Sequence, residues 1–386
     1  MTQMHKRWAP GAVPFASLAR LVPSPPDWRV DWSAIWPLWP VLGALDTCPQ
    51  DPSHHGEGDV GTHTRMVVEA LVGDRDWRAL PVEDRGVLFW AAVLHDIGKP
   101  ATTRHEDGRI TSRGHSRRGA AMARRLLWEA AAPFHWREAL AGLIALHQLP
   151  FWLIEREDGE RRAIEASWIA RPDHLCLHAR ADALGRIAAD RDGLIENVAL
   201  ARLSFEEAGC LTAPFASAND ESRVAFFERE DRDPRHAAHE AHPCTVTVMA
   251  GLPGSGKDHW IARHCPDLPM VSLDALRTEL GAPATGDQGA VVQAARERAR
   301  AHLRAGRDFV WNATNVSRQM RGRVLGLLRA YGARVRIVYL EVAPECLLAQ
   351  NAAREAPVPD KAILGLVDKL EPPTPMEAHE ILRVID

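Results

Sequence analysis

Thr245-Val-Thr-Val-Met-Ala-Gly-Leu-Pro-Gly-Ser-Gly-Lys257 begins as a β-branched, apolar run and ends as a glycine-rich turn closed by a lysine. The run over 245–250 predicts a buried strand, and a helix is predicted to begin near Asp258. Strand, turn and helix in that order make a phosphate cradle. The glycines let the chain curl so that successive backbone N–H groups face an anion. The helix N-terminus adds a favourable dipole, and Lys257 reaches the β and γ phosphates. Gly251, Gly254, Ser255, Gly256, Lys257 and Asp258 are therefore the candidate nucleotide-binding residues, with ATP or another nucleoside triphosphate and magnesium or manganese as the expected ligands.

Downstream, Met270-Val-Ser-Leu-Asp274-Ala-Leu-Arg277 puts a carboxylate at a strand end and an arginine three residues later on the same helix face. Asp274 there suits an acceptor site, orienting and deprotonating a hydroxyl while Arg277 grips a neighbouring phosphate. The plainer alternative is an N-capping Asp with a surface Arg. Phe309-Val-Trp-Asn312-Ala-Thr-Asn315-Val-Ser-Arg318 reads as strand then loop, Val335 to Glu341 as another strand, and Asn351 to Pro359 as a lid-like turn. Arg354 is the candidate to close over a γ-phosphate, with Arg318 and Arg321 as weaker ones. Asp258 stands where a Ser or Thr hydroxyl usually touches magnesium, and Asn312 where an Asp is often found.

Upstream the pattern changes. From Thr62 to about Phe205 apolar residues recur at helical spacing, as in Met66-Val67-Ala70-Leu71, Leu140-Leu143-Ile144 and Leu184-Ile187-Leu194, which predicts an all-α bundle. Pro23 to Pro52, rich in proline and tryptophan, predicts short helices and turns laid over it. His63, His95, Asp96, His115, His147 and Asp182 fall on those helices, and all carry metal-ligand side chains. Imidazoles with carboxylates suit two divalent transition ions, and Asp96, with two oxygens, is the natural bridge.

The wording around these residues is His63-Thr-x-x-Val, Leu94-His-Asp-Ile-Gly-Lys-Pro100, Gly114-His115, Leu146-His147 and Ala181-Asp182-Ala-Leu-Gly185. Over about residues 50–210 it resembles the HD-domain phosphohydrolase superfamily, and His55-Gly-Glu-Gly-Asp59 is similar to the segment before the first ligand in HD domains of some tRNA-processing enzymes. The resemblance implies that His63, His95, Asp96 and Asp182 hold one ion and Asp96, His115 and His147 a second, giving phosphoester hydrolysis. Lys99, one turn past the doublet, reads either as a substrate-phosphate contact or as a solvent-facing helix cap. His178, sharing the Asp182 helix face, reads as structural, and His54 and His55 as surface or supporting residues.

Residues 244–386 resemble the 5′-hydroxyl polynucleotide kinase branch of P-loop phosphotransferases, through the phosphate loop, Asp274/Arg277, Asn312-Ala-Thr-Asn315 and Arg354. The expected architecture is an all-α HD bundle over 1–230, a charged, His-rich linker over 231–243, and an α/β P-loop kinase domain with a parallel sheet over 244–386. That arrangement is similar to the bacterial HD-Pnk end-healing enzymes. It implies removal of 2′,3′-cyclic, 2′ or 3′ phosphates by the HD domain and phosphorylation of 5′-OH ends by the kinase. RNA or DNA ends are the implied partners, with functional coupling to a ligase. Two other readings stay open: an HD nucleotidase fused to a small-molecule or nucleoside kinase, and an ATP-binding regulator whose HD site does not turn over.

Bulk composition is consistent with this and excludes other classes. A net charge of −4 over 386 residues argues against coating of duplex nucleic acid and confines such contacts to local sites. The six cysteines form no C-x-x-C pair, which argues against a disulfide framework or thiolate zinc site and favours a reducing cytoplasm. No apolar run reaches the ~20 residues of a membrane span, and Met1 to Pro10 lacks a signal-peptide core. Eleven of the thirteen tryptophans precede residue 170, so the two halves are built differently. With five lysines against forty-two arginines, Lys99 and Lys257 stand out at motif positions.

Overall fold

The computed structural model describes residues 13–283, 286–354 and 357–386. The Met1–Pro10 reading, and Glu355 and Ala356 of the lid-like turn, lie outside the described residues. The chain divides into two units at Ala216/Ser217.

The first unit is built round the helix Val82–Leu94, in which every residue from Gly86 to Leu94 is buried. A helix apolar on all faces must be surrounded, and Val60–Gly73, Phe134–Leu146 and Pro172–Leu184 pack against it. Asp59 caps Val60–Gly73 by accepting the Thr62 N–H at 2.8 Å, which starts that helix three residues before His63. His115–Glu129 packs on Phe134–Leu146, and Arg191–Glu207 on Pro172–Leu184. The Pro23–Pro52 stretch forms the expected short helical turns, among them Trp32–Ile35, Pro40–Gly43 and Ala44–Thr47.

One expectation needs correction here. The unit is not wholly helical: β1 (Arg104–Glu106) and β2 (Arg109–Thr111) form an antiparallel hairpin. Its turn is Asp107-Gly108, with φ of +50° and +74°, the two positive dihedrals that a tight hairpin turn requires. The helical reading passed over that Asp-Gly signal.

The second unit holds a five-stranded sheet of β3 (Thr245–Ala250), β4 (Met270–Ser272), β5 (Phe309–Asn312), β6 (Arg334–Glu341) and β7 (Glu380–Ile385), in the order β4-β5-β3-β6-β7. All neighbours are parallel. Parallel pairs need crossovers, supplied by helices that include Gly289–Arg304 and Arg318–Ala330. β3 lies at the centre with five of six residues buried, as its unbroken apolar run required. The second unit is thus the expected α/β domain with a parallel sheet, and it follows a predominantly helical first unit.

Three local expectations differ from the structure. The helix Asp220–Glu228, expected to close the first domain, belongs to the second unit: Arg223 donates to the carbonyls of Pro375, Ala378 and His379 at 2.9, 3.2 and 2.9 Å. The unit border therefore precedes the expected 231–243 linker. β7 went unread because its short run carries charges at both Glu380 and Arg383. Arg321 is no lid candidate, since its side chain is fully buried. It pairs with Glu377 at 2.7 and 2.9 Å and donates to the carbonyls of Asn315 at 3.0 Å and Glu371 at 2.7 Å.

Removing one partner of such a pair strands a buried charge, at a cost of about 3–5 kcal/mol. Arg321→Met should therefore lower the urea midpoint of the second unit's unfolding markedly. An unchanged midpoint would show the pair to be dispensable.

Candidate active sites

In the first unit, five helices or helix ends bring all six candidate ligands together. His63 lies in Val60–Gly73, His95 and Asp96 follow Val82–Leu94, His115 opens His115–Glu129, His147 follows Phe134–Leu146, and Asp182 lies in Pro172–Leu184. Asp96 stands in the middle. Its Oδ2 faces His95 Nε2 at 3.1 Å and His63 Nε2 at 3.9 Å, whereas Oδ1 faces His115 Nε2 at 3.3 Å and His147 Nε2 at 4.0 Å. Asp182 Oδ1 is 3.1 Å from His63 Nε2.

The hydrogen bonds set the tautomers. Nδ1–H of His63, His95, His115 and His147 donates to the carbonyls of Gly185, Ala92, Ser112 and Ile144, at 3.1, 2.8, 2.8 and 2.8 Å. Each ring therefore turns an Nε2 lone pair inward. His63 Nε2, His95 Nε2 and Asp96 Oδ1 are buried without a hydrogen bond, and Nε2 of His115 and His147 approach to 3.3 Å. Lone pairs so placed repel unless a cation lies between them. Among the described residues, His63, His95 and Asp182 form one group able to hold a metal ion and Asp96, His115 and His147 another. The donor set fits two divalent ions.

Burial alone would raise the pKa of Asp96, but His95 and Lys99 hold it well below the carboxylate range. Burial likewise works against Asp182, which Arg186 and His63 keep ionised. His147 and His115 are pushed down, chiefly by burial, and so stay neutral. Charged carboxylates and neutral imidazoles are the protonation states that bind metal. For His63 burial pulls downward, yet Asp182 and Glu57 outweigh it and leave the pKa raised. A proton and a cation compete for that one position.

Lys99 does not face solvent. Its ammonium lies 2.7 Å from Asp96 Oδ2 and 2.6 Å from Gln50 Oε1, on the wall of a cavity of about 380 Å³ that opens onto His115. His178 is fully buried, its ring 5.7 Å from that of His95, and burial pushes its pKa down to about 4. His54 is exposed, 3.4 Å from Asp190. His55 bonds Glu57 at 2.8 Å.

Two supporting residues escaped the sequence reading. Glu57 accepts from His55, lies 3.0 Å from His63 Nδ1 and accepts the Ile187 N–H at 2.9 Å, so it fixes one imidazole from behind. Its signal was the carboxylate inside His55-Gly-Glu-Gly-Asp59. Arg186 makes a forked contact with Asp182 at 2.9–3.1 Å, and the four-residue spacing was the clue.

In the second unit the phosphate loop joins β3 to the helix Lys257–His264. Gly251 has φ +148°, and a Cβ there would lie 2.5 Å from the Leu340 carbonyl oxygen, so a side chain cannot be accommodated. Gly254 and Gly256 also have positive φ. Lys257 Nζ donates to the carbonyls of Gly251 and Leu252 at 3.0 and 2.8 Å, folded over its own loop. Burial is the main reason its pKa falls to about 8, with Asp258 opposing and Arg354 assisting. Ser255 Oγ is buried without a hydrogen bond.

Asn312, at the end of β5, donates to Asp258 Oδ1 at 2.6 Å. The two departures from the usual loop pattern thus meet and share one carboxylate. Ser272, not Asp274, caps the next helix by accepting the Ala275 N–H at 3.3 Å. Asp274 is left largely exposed and ion-paired with Arg277, which also donates to Gln288 at 3.0 Å. Arg354 lies just past Pro344–Ala352, whose Leu347 carbonyl would sit 3.1 Å from a Cβ on Gly254. Asn351 pins that turn through Val358, donating to its carbonyl at 2.8 Å and accepting its N–H at 3.1 Å.

Residues 60–177 match the HD domain and residues 246–373 the AAA domain. The chain is thus a fusion of an HD domain with a P-loop kinase-like domain. It is similar to the Multifunctional CCA protein of Teredinibacter turnerae, 28% identical over 158 residues that cover 40% of this chain and 36% of that one. The Multifunctional CCA protein of Halorhodospira halophila is 29% identical over 236 residues, covering 57% and 49%. The CC-adding tRNA nucleotidyltransferase of Thermus thermophilus is 35% identical over 117 residues, covering 30% and 24%. The chain spans less than half the length of each of these relatives. Among solved structures, a sugar kinase from Janibacter sp. HTCC2649 is 24% identical over 36% of this chain and 84% of that one, with a TM-score of 0.28.

Two measurements probe these sites. Mn²⁺ added to metal-stripped protein should raise the melting temperature of the first unit, by an amount equivalent to about 2.7 kcal/mol at a hundredfold excess over Kd. Asp96→Ala should lose most of that rise, and an equal rise in the variant would place the ions elsewhere. For Lys257, with its pKa near 8, the ammonium is charged below that pH and a triphosphate must recapture a proton above it. ATP affinity should therefore fall about fivefold from pH 8 to pH 9, and Lys257→Met should flatten the dependence.

Proposed function

We propose that this chain heals broken polynucleotide ends, RNA above all. Its HD domain hydrolyses 2′,3′-cyclic, 2′ or 3′ phosphate ends, and its P-loop domain transfers the γ-phosphate of ATP to 5′-OH ends. The observation that carries the reading is the presence, on one chain, of a six-ligand His/Asp centre with inward lone pairs and a phosphate loop with an exposed carboxylate downstream. The likeness to Multifunctional CCA proteins and a CC-adding tRNA nucleotidyltransferase supports a nucleic-acid end as substrate. A cytoplasmic setting and a partnering ligase follow from the same reading.

In the HD domain, His63, His95, Asp96 and Asp182 would hold one divalent ion, and Asp96, His115 and His147 would hold the other. Bound there, the ions supply Lewis acidity and lower the pKa of water. His95 and Lys99 keep Asp96 ionised and Arg186 does so for Asp182, and Lys99, on the cavity wall, takes a phosphate oxygen in this reading. Glu57 holds His63 in register.

In the kinase domain, Gly251, Gly254, Ser255 and Gly256 offer backbone N–H groups to the phosphates, and Lys257 swings from the loop carbonyls onto the β and γ oxygens. Asp258, oriented by Asn312, would hold the magnesium or manganese that accompanies the nucleotide, directly or through water. Asp274 accepts the proton of the attacking 5′ hydroxyl, Arg277 binds the adjoining backbone phosphate, and Arg354 stabilises charge on the transferred group.

The reading separates by mutation. With ATP, Mn²⁺ or Mg²⁺ and oligonucleotides of defined ends, Asp274→Ala should lower 5′-end labelling at least a hundredfold and spare phosphate release. Asp96→Ala should do the converse. Transfer of label to nucleosides or sugars but not to a 5′-OH oligonucleotide would replace this reading with a small-molecule kinase.

A further inference from the structure

The cavity beside the His/Asp centre has one wall that phosphate chemistry does not require. Trp152 lines it and is 48% exposed, the most exposed tryptophan among the described core-sized side chains of this unit. Its neighbours Phe151 and Leu153 are each only 1% exposed, and Asn197 clamps the Phe151 carbonyl at 2.9 Å. The backbone is thereby pinned on both sides of a ring left open to the cavity. Trp152 also follows the candidate ligand His147 by five residues, through the short helix Leu149–Trp152, so its distance from the centre is fixed by local structure.

Lys99, Arg113 and Arg186 are the lysine and arginines on the lining of the same cavity, and Asp51 and Asp190 its aspartates. Lys99 and Arg186 lie beside Asp96 and Asp182, whereas Arg113 is exposed on its lining. At about 380 Å³ the cavity is in the size range that encloses one small ligand rather than a helix or a duplex. A phosphate near Lys99 leaves a flat aromatic group as the natural occupant of the Trp152 wall, because an indole face stacks on any base without reading its edge.

We infer that Trp152 stacks on the base of the terminal, phosphate-bearing nucleotide, making the HD site selective for nucleotide ends over other phosphoesters while indifferent to base identity. Arg113 serves as the rim contact for the next phosphate of a chain. This rests on the phosphoesterase role proposed above and specifies its substrate. A free nucleotide and a chain terminus present the same base and phosphate, and Arg113 is the feature that favours the chain.

The test is equilibrium binding to EDTA-treated protein, where no turnover competes, of an oligonucleotide with a 3′ phosphate, a nucleoside 3′-phosphate and base-free ribose phosphate. Trp152→Ala should weaken both base-bearing ligands about tenfold, as expected for loss of one stacked base, and leave ribose phosphate unchanged. Trp152→Phe should recover most of the affinity. With Mn²⁺ restored, KM should rise in Trp152→Ala at constant kcat, and all four bases should suffer alike. Arg113→Ala should weaken the oligonucleotide alone. Equal binding of base-bearing ligands by wild type and Trp152→Ala, or equal loss of ribose phosphate, would overturn the stacking role even if the enzyme hydrolyses these ends. Wild-type protein that neither binds nor hydrolyses any base-bearing end would overturn the proposed function as well. Tighter binding of the free nucleotide than of the chain would overturn the role given to Arg113.

Discussion

A buried carboxylate that must stay charged organises the first unit. Asp96 is 1% exposed, and an ion in that position is tolerated only when cationic or hydrogen-bonding groups surround it. Its two oxygens face different imidazole pairs, and Lys99 covers one of them. The apolar helix Val82–Leu94 is what delivers it: buried on all sides, the helix cannot turn without stranding hydrophobic surface, so the residues at its end have a fixed direction. Gly98 completes the arrangement, for a Cβ there would lie 2.2 Å from the His115 carbonyl oxygen. The spelling His-Asp-Ile-Gly thus carries a steric demand as well as a chemical one. A larger residue would push away the helix that begins at His115.

The second unit meets the need for a fixed polar site through its backbone. β3 lies between two parallel neighbours, and its C-terminal end releases the chain into a turn that only glycine can follow at Gly251. Asn315, with φ +46° and its Nδ2 bonded to the Met249 carbonyl at 2.8 Å, ties the loop after β5 to the strand that leads into the cradle. The Gly251 N–H reaches the Thr314 carbonyl at 2.8 Å from the other side. Asn312-Ala-Thr-Asn315 is therefore a brace for the phosphate loop, which explains why these polar residues follow a wholly buried strand.

Much of this was legible because motif residues and structural periodicity agreed. The strand over 245–250 and the helix after it were written in a change of period, and the six His/Asp residues in their short flanking words. What stayed hidden depended on pairs distant in sequence. Arg321 looked like a mobile arginine until Glu377, far along the chain, neutralised it in the interior. The helix Asp220–Glu228 joins the second unit through Arg223 and three carbonyls near residue 378, and no local signal announces that attachment. Glu57 supports His63 from behind, and that role becomes visible only once Ile187 and Gly185 are brought beside Val60–Gly73.

The arginine-rich composition finally bears on how a polyanion would be met. Many arginines are already paired: Arg65 with Asp46, Arg124 with Glu138, Arg162 with Asp158 and Glu165, Arg180 with Asp74 and Asp76, and Arg298 with Glu279. Positive charge committed in this way contributes little to a long-range field, and the net charge is negative. Attraction to a phosphodiester chain must then arise where basic groups line a cavity, as Lys99, Arg113 and Arg186 do. Contacts with few phosphates give a shallow salt dependence, so under the proposed function selectivity would rest on fit at the end of the chain instead of on charge along its length. Such an electrostatic arrangement is what the proposed action on termini calls for.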